Sequence, residues 1–73
     1  QLLDLEKVDE AIEIFKLNVE VYPTSSNVYD SLGEAYMNNN QKELSVKNYE
    51  KSIELNPKNV NAIEMLKKLN ENK

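Results

Sequence analysis

Apolar residues along this chain recur at steps of three and four. Val8, Ala11, Ile12, Phe15, Val19 and Tyr22 form one stripe of a helix. Ile14, Leu17 and Val21 widen that stripe, which predicts a helix buried on more than one side. Pro23 stops it, because proline lacks the N–H that a continuing helix needs. Thr24, Ser25 and Ser26 make a short polar link, and Ser25 or Ser26 is placed to cap the next helix. Val28, Tyr29, Leu32, Ala35 and Tyr36 mark a second helix. Asn38, Asn39 and Asn40 predict a turn, since asparagine tolerates the left-handed backbone that ends helices. Asn40 with Glu43 resembles a capping box. Leu44, Ser45, Val46, Tyr49, Ser52, Ile53 and Leu55 mark a third helix that Pro57 ends. Ala62, Ile63, Leu66 and Leu69 mark a fourth, before a polar tail from Asn70 to Lys73. No segment alternates with period two for long enough to make a strand. The expected class is all-α, built of antiparallel hairpins with short links.

The pattern also repeats. Pro23 and Pro57 lie 34 residues apart, and at the same offset Phe15 matches Tyr49, Val19 matches Ile53 and Val21 matches Leu55. Further along, Asn27 matches Asn61, Asp30 matches Glu64 and Leu32 matches Leu66. The order is kept and the chemistry is kept, so the chain holds about two periods of one unit.

Tyr29-Asp30-Ser31-Leu32-Gly33-Glu34-Ala35-Tyr36 reads aromatic-x-x-Leu-Gly-x-x-Tyr, followed by Ser45, Tyr49, Ser52 and Pro57. This resembles the tetratricopeptide repeat, whose signature is W-x2-L-G-x2-Y, then A-x3-F, then P. The resemblance implies a short right-handed α-solenoid. Gly33 would let two helices approach closely, with Ser45 as the small residue opposite it. Tyr29, Tyr36 and Tyr49 would fill the wedge between helices. Residues 1–25 then read as the second helix of a partial repeat, 26–59 as a complete repeat, and 60–73 as a C-terminal capping helix. Tyr29 stands in place of the signature tryptophan, and Asn18 where a small residue is expected between units. Lys67 sits where Gly33 sat, and Asn70 where Tyr36 sat, so a following helix could not pack closely. That departure predicts the end of the array and a polar outer face on the last helix.

Composition narrows the chemistry. The chain of 73 residues has no Cys, no His and a single Gly. It therefore has no disulfide framework, no imidazole or thiolate metal site, no His base and no glycine-rich phosphate loop. No cofactor is implied. Its net charge of −4 sets it against nucleic acid and anionic membranes. No apolar run approaches the ~20 residues of a bilayer span.

Two carboxylate groupings, Asp9 with Glu10 and Glu13, and Asp30 with Glu34, could suggest acid–base or metal chemistry. Without His or a dry pocket, they read as solvated charge. The tyrosines follow the repeat spacing and read as core rather than a base-stacking platform. Lys67 and Lys68 read as a solvated helix end, and Ser25-Ser26 as a cap rather than a nucleophile. The expected chain is not an enzyme.

In the family it resembles, the first helix of each unit lines a concave groove that binds an extended peptide or another protein. The corresponding residues are Asn27, Asp30, Glu34, Met37 and Asn38, then Asn61, Glu64, Met65 and Lys68. Acidic Asp30, Glu34 and Glu64 would repel a ligand's terminal carboxylate, so a neutral or basic segment fits better. The expected role is a protein-interaction or scaffolding module. Leu2, Leu3 and Leu5, with parts of Ile12 and Phe15, predict an exposed N-terminal apolar face. Two outcomes stay open for it: a homo-oligomer formed through that face, or a frayed end on a monomer. The run from Phe15 to Met37 is also similar to repeats appended at the C-termini of some bacterial β-lactamase-like and esterase-like serine hydrolases. That resemblance implies an accessory module beside an upstream catalytic domain.

Overall fold

The computed structural model describes residues 5–71. Four helices follow one another: α1 (Leu5–Val21), α2 (Ser26–Asn38), α3 (Lys42–Leu55) and α4 (Val60–Glu71). The links hold three or four residues, which turns each helix back along its predecessor. The main contacts join chain neighbours, α1 with α2, α2 with α3 and α3 with α4, and the α2–α3 pair is the most extensive. The all-α stack of hairpins expected from the sequence is what forms.

Each boundary has a local cause. α1 stops at Val21, two residues before Pro23, and the Tyr22 N–H still donates to the Asn18 carbonyl (2.8 Å). At the end of α2 the Asn40 N–H donates to the Met37 carbonyl (3.1 Å) and the Gln41 N–H reaches back to Tyr36 (2.9 Å). This is the Schellman pattern, and it needs one residue in left-handed conformation. Asn40 supplies it, at φ 60°. The asparagine turn is therefore as expected, but the capping box is not. Asn40 is committed to closing α2, so Gln41 takes the N-cap of α3, without a side-chain bond. Ser25 stands at the N-cap of α2, again with no side-chain bond. Ser26 does not cap either, because its hydroxyl turns toward α3.

Two apolar clusters hold the stack. Ile12, Leu32, Ala35 and Tyr36 form the first, with Val8, Phe15 and Val19 packed against it. Tyr49, Ala62 and Leu69 form the second, with Met37, Val46, Ile53, Met65 and Leu66 around it. Between them Gly33 does what its spacing required. A Cβ placed there would lie 3.1–3.2 Å from the Tyr49 ring, which is 0% exposed and cannot swing aside. Buried Ser45 lies beside this contact and donates its hydroxyl to the Gly33 carbonyl (2.7 Å). The ion pairs Glu13–Lys16 and Lys51–Glu54 are solvated and contribute only a few tenths of a kcal/mol.

Two expectations are corrected. Ile14, Leu17, Val21 and Tyr22 were expected to be buried, but they are 57–65% exposed. Among the described residues α1 has its main contact with α2, so its opposite side meets solvent. Secondly, the outer face of α4 is not uniformly polar. Lys67, Lys68 and Asn70 are exposed as expected, but so are Val60 (63%) and Ile63 (42%). The expected N-terminal apolar face drew on Leu2 and Leu3, which lie outside the described residues.

Candidate functional site

Residues 34 apart place α2 and α4 in equivalent roles, and the groove candidates lie on these two helices. The link between them is polar and half-buried. Ser26 Oγ donates to the Ser52 carbonyl (3.0 Å), and Ser52 Oγ donates to the Ser26 carbonyl (2.9 Å), which ties the start of α2 to the end of α3. Asn59 completes this patch. Its Nδ2 lies 3.2 Å from Ser26 Oγ, 2.9 Å from Ser52 Oγ and 3.0 Å from Asp30 Oδ2. Its Oδ1 accepts from the Ala62 N–H (3.2 Å), which caps α4. One amide therefore holds the hairpin closed and starts the next helix.

Asp30 is bound from both sides. Beside Asn59, the Asn61 Nδ2 donates to its Oδ1 at 3.0 Å and lies 3.2 Å from its Oδ2. Of the expected groove residues, the structure thus joins Asp30 to Asn61 directly. Glu34 and Asn38 lie elsewhere on α2, lining a cleft that opens toward α1. Met37 and Met65 are half-buried against the second apolar cluster and present little surface. Asn27, Glu64 and Lys68 are exposed. No group of three or more His, Cys, Asp or Glu among the described residues could hold a metal. No helix among the described residues is long and apolar enough to cross a membrane.

The cleft has a volume of about 160 Å³. Val8, Ala11, Phe15 and Ala35 supply its apolar side, and Ser31, Glu34 and Asn38 its polar side. On the other side of α2, burial pushes the Tyr49 hydroxyl up to about 12, and the carboxylates of Asp30 and Glu34 add to the effect by disfavouring a second negative charge. That hydroxyl is buried and has no partner among the described residues. Tyr49 therefore serves packing and carries no proton traffic at neutral pH.

Asn59 was not among the residues singled out from the sequence. The available signal was its place: an asparagine two residues after Pro57, immediately before an apolar helix, is an N-cap candidate. Its second role, across to Asp30 and the serines, is a long-range contact that no local pattern encodes.

No curated protein matches the chain. The family model for the tetratricopeptide repeat matches residues 26–59. That stretch runs from Ser26, where α2 is tied to α3, to Asn59, where the hairpin is tied to α4. Gly33 against Tyr49, Ser45 beneath Gly33 and Pro57 at the exit thus occupy the places that their spacing assigned, and residues 26–59 match the tetratricopeptide repeat.

Proposed function

We propose that this chain is a protein-interaction module whose α2 and α4 together receive a neutral or basic extended segment of a partner. One observation carries the reading. The Asp30–Asn61 and Asp30–Asn59 bonds tie the first turn of α4 and the link before it to α2, with Asn27, Glu34, Asn38, Glu64 and Lys68 exposed on the two helices. A pre-set surface loses less ordering entropy on binding than a mobile one. Its acidic groups, with a net charge of −4, favour a cationic ligand over a carboxylate-ended one. The groove is short, so affinity in isolation is weak. The test is to titrate a lysine-rich and an acidic-ended peptide while following the amide shifts of Asp30 and Glu34. The lysine-rich peptide is expected to bind more tightly, and the reverse order overturns the reading.

In this proposal residues 26–59 form the complete unit and α4 is its cap, with Lys67 in the place of the notch that Gly33 provides in α2. The exposed Ile14, Leu17 and Val21 support a second reading, self-association through α1. Sedimentation at micromolar concentration tests it: a monomer with concentration-independent melting removes it. The likeness to hydrolase-appended repeats supports an accessory role in a larger protein, and the reading frame upstream of Gln1 tests that.

A further inference from the structure

The two ends of the stack carry exposed apolar stripes, and the stripes match. On α1, at one end, Ile14, Leu17 and Val21 are 57–65% exposed. On α4, at the other, Val60 is 63% and Ile63 42% exposed. Each stripe continues into one exposed charge. Glu10 lies one turn before Ile14, and Lys67 lies one turn after Ile63. Counted up the chain, Val60, Ile63 and Lys67 are separated by steps of three and four. Counted down the chain, Leu17, Ile14 and Glu10 are separated by the same steps. Laid antiparallel, as chain neighbours lie in this molecule, the two helices set Leu17 against Val60, Ile14 against Ile63 and Glu10 against Lys67. Within one copy the main contacts join chain neighbours, so α1 and α4 are kept apart and their stripes meet between copies.

From this match we infer that a second copy of the chain occupies both stripes: α1 of one copy docks antiparallel on α4 of the next, with Glu10 facing Lys67 across the contact. The inference rests on the self-association reading and adds to it the second face, α4, and the register. Charge decides between arrangements. A symmetric pair of α1 helices brings Asp9, Glu10, Glu13 and Glu20 of each copy toward their own kind, with only Lys7 and Lys16 to offset them. It also leaves Val60 and Ile63 in water. The head-to-tail contact covers both stripes and opposes unlike charges. Lys67 separates this contact from a continuation of the repeat. It fills the place of the notch that Gly33 opens in α2, so the incoming helix stays farther out than α3 does from α2. Its ammonium is left at the edge to meet a carboxylate. A contact of so few side chains is weak and reversible.

The experiment is sedimentation of the whole chain from micromolar concentration upward, with Leu17→Gln, Ile63→Gln and their equimolar mixture. Both residues are exposed, so each variant should keep the melting curve of the dilute wild type. Each substitution takes one apolar side chain out of the contact and should weaken self-association roughly tenfold or more. The mixture should recover. The intact α4 of Leu17→Gln meets the intact α1 of Ile63→Gln, and a dimer forms at the concentration at which wild type associates. Glu10→Lys and Lys67→Glu should each weaken association about twofold to fivefold, and the double variant should regain it. If Ile63→Gln associates as wild type does, or the mixture recovers nothing, the head-to-tail contact is wrong while self-association through α1 stands. If wild type is a monomer throughout, the reading beneath it falls as well. A lower melting temperature for dilute Leu17→Gln would show the α1 stripe already covered within one copy, and would overturn the inference.

Discussion

The two junctions of this molecule share a register and differ in the side chains that fill it. At the first, α1 meets α2 through Phe15 and Ala35, both beside a cleft. At the second, α3 meets α4 through Tyr49 and Leu69, and no side chain there lines that cleft. The polar seams differ as well. Ser25 precedes α2 and makes no cap bond, whereas its equivalent, Asn59, caps α4 and bridges to three other residues. A repeat thus fixes where helices go, while a few side chains decide how each junction is packed and capped.

Truncation at matched positions should break the comparison most visibly. Tyr49→Ala removes a fully buried ring, a change that costs about 3–5 kcal/mol. A single core of this size rarely supplies more than about 3–5 kcal/mol net, so the variant should be unfolded by circular dichroism at 25 °C. Phe15→Ala, at the half-buried equivalent, should cost about half as much and leave a measurable urea transition. Equal losses at the two sites would erase the distinction.

The next largest effect is at the notch. Gly33→Ala gains about 1 kcal/mol of helix propensity but drives a methyl into the Tyr49 ring, and overpacking costs about 1–3 kcal/mol. A net loss of about 1 kcal/mol is expected in denaturant melts. Combining it with Tyr49→Leu, which relieves the ring contact, should make the glycine replacement nearly neutral; an undiminished penalty would place the strain elsewhere.

The caps give a smaller and sharper contrast. Asn59→Ala should lower stability by about 1–2 kcal/mol, since it loses the cap of α4 and leaves Asp30 and the two serines short of a donor. Ser25→Ala should change it by less than about 0.5 kcal/mol, because no cap bond is lost. Similar losses from both substitutions would refute the asymmetry.

The smallest change is Tyr49→Phe, which makes the second junction chemically like the first. It removes a buried hydroxyl that lacks a partner among the described residues, so stability should hold or rise by about 1 kcal/mol. The folded chain holds this phenol near 12, above its ordinary 10.0, so the neutral form is favoured by folding. That contribution is fully present below pH 10 and is lost as pH rises toward 12. Urea melts across this alkaline range should show a shallower decline for Tyr49→Phe than for wild type.

Much of this architecture is legible in the chain itself, because helices and their stops are local. The three-and-four spacing, the two prolines and the asparagine turn place all four helices. The Gly33 and Ser45 spacing places the close contact, although not the hydroxyl-to-carbonyl bond within it. What the spacing could not supply depends on neighbours. Ile14 and Leu17 are apolar at helical spacing, and only the absence of a described helix beside them makes them exposed. Asn40 and Glu43 fit a capping box in letters, but Asn40 was already needed by the preceding helix. Met37 and Met65 lie on the groove helices, yet their side chains turn toward the second apolar cluster.

The amide of Asn59 sets the order in which the molecule comes apart. Because the same side chain closes the hairpin and starts α4, the last helix cannot fray from its beginning without loosening the serine pair behind it. Losing that one donor would uncouple the two events, leaving a hairpin and a loosely tethered rod where there had been a single cooperative block.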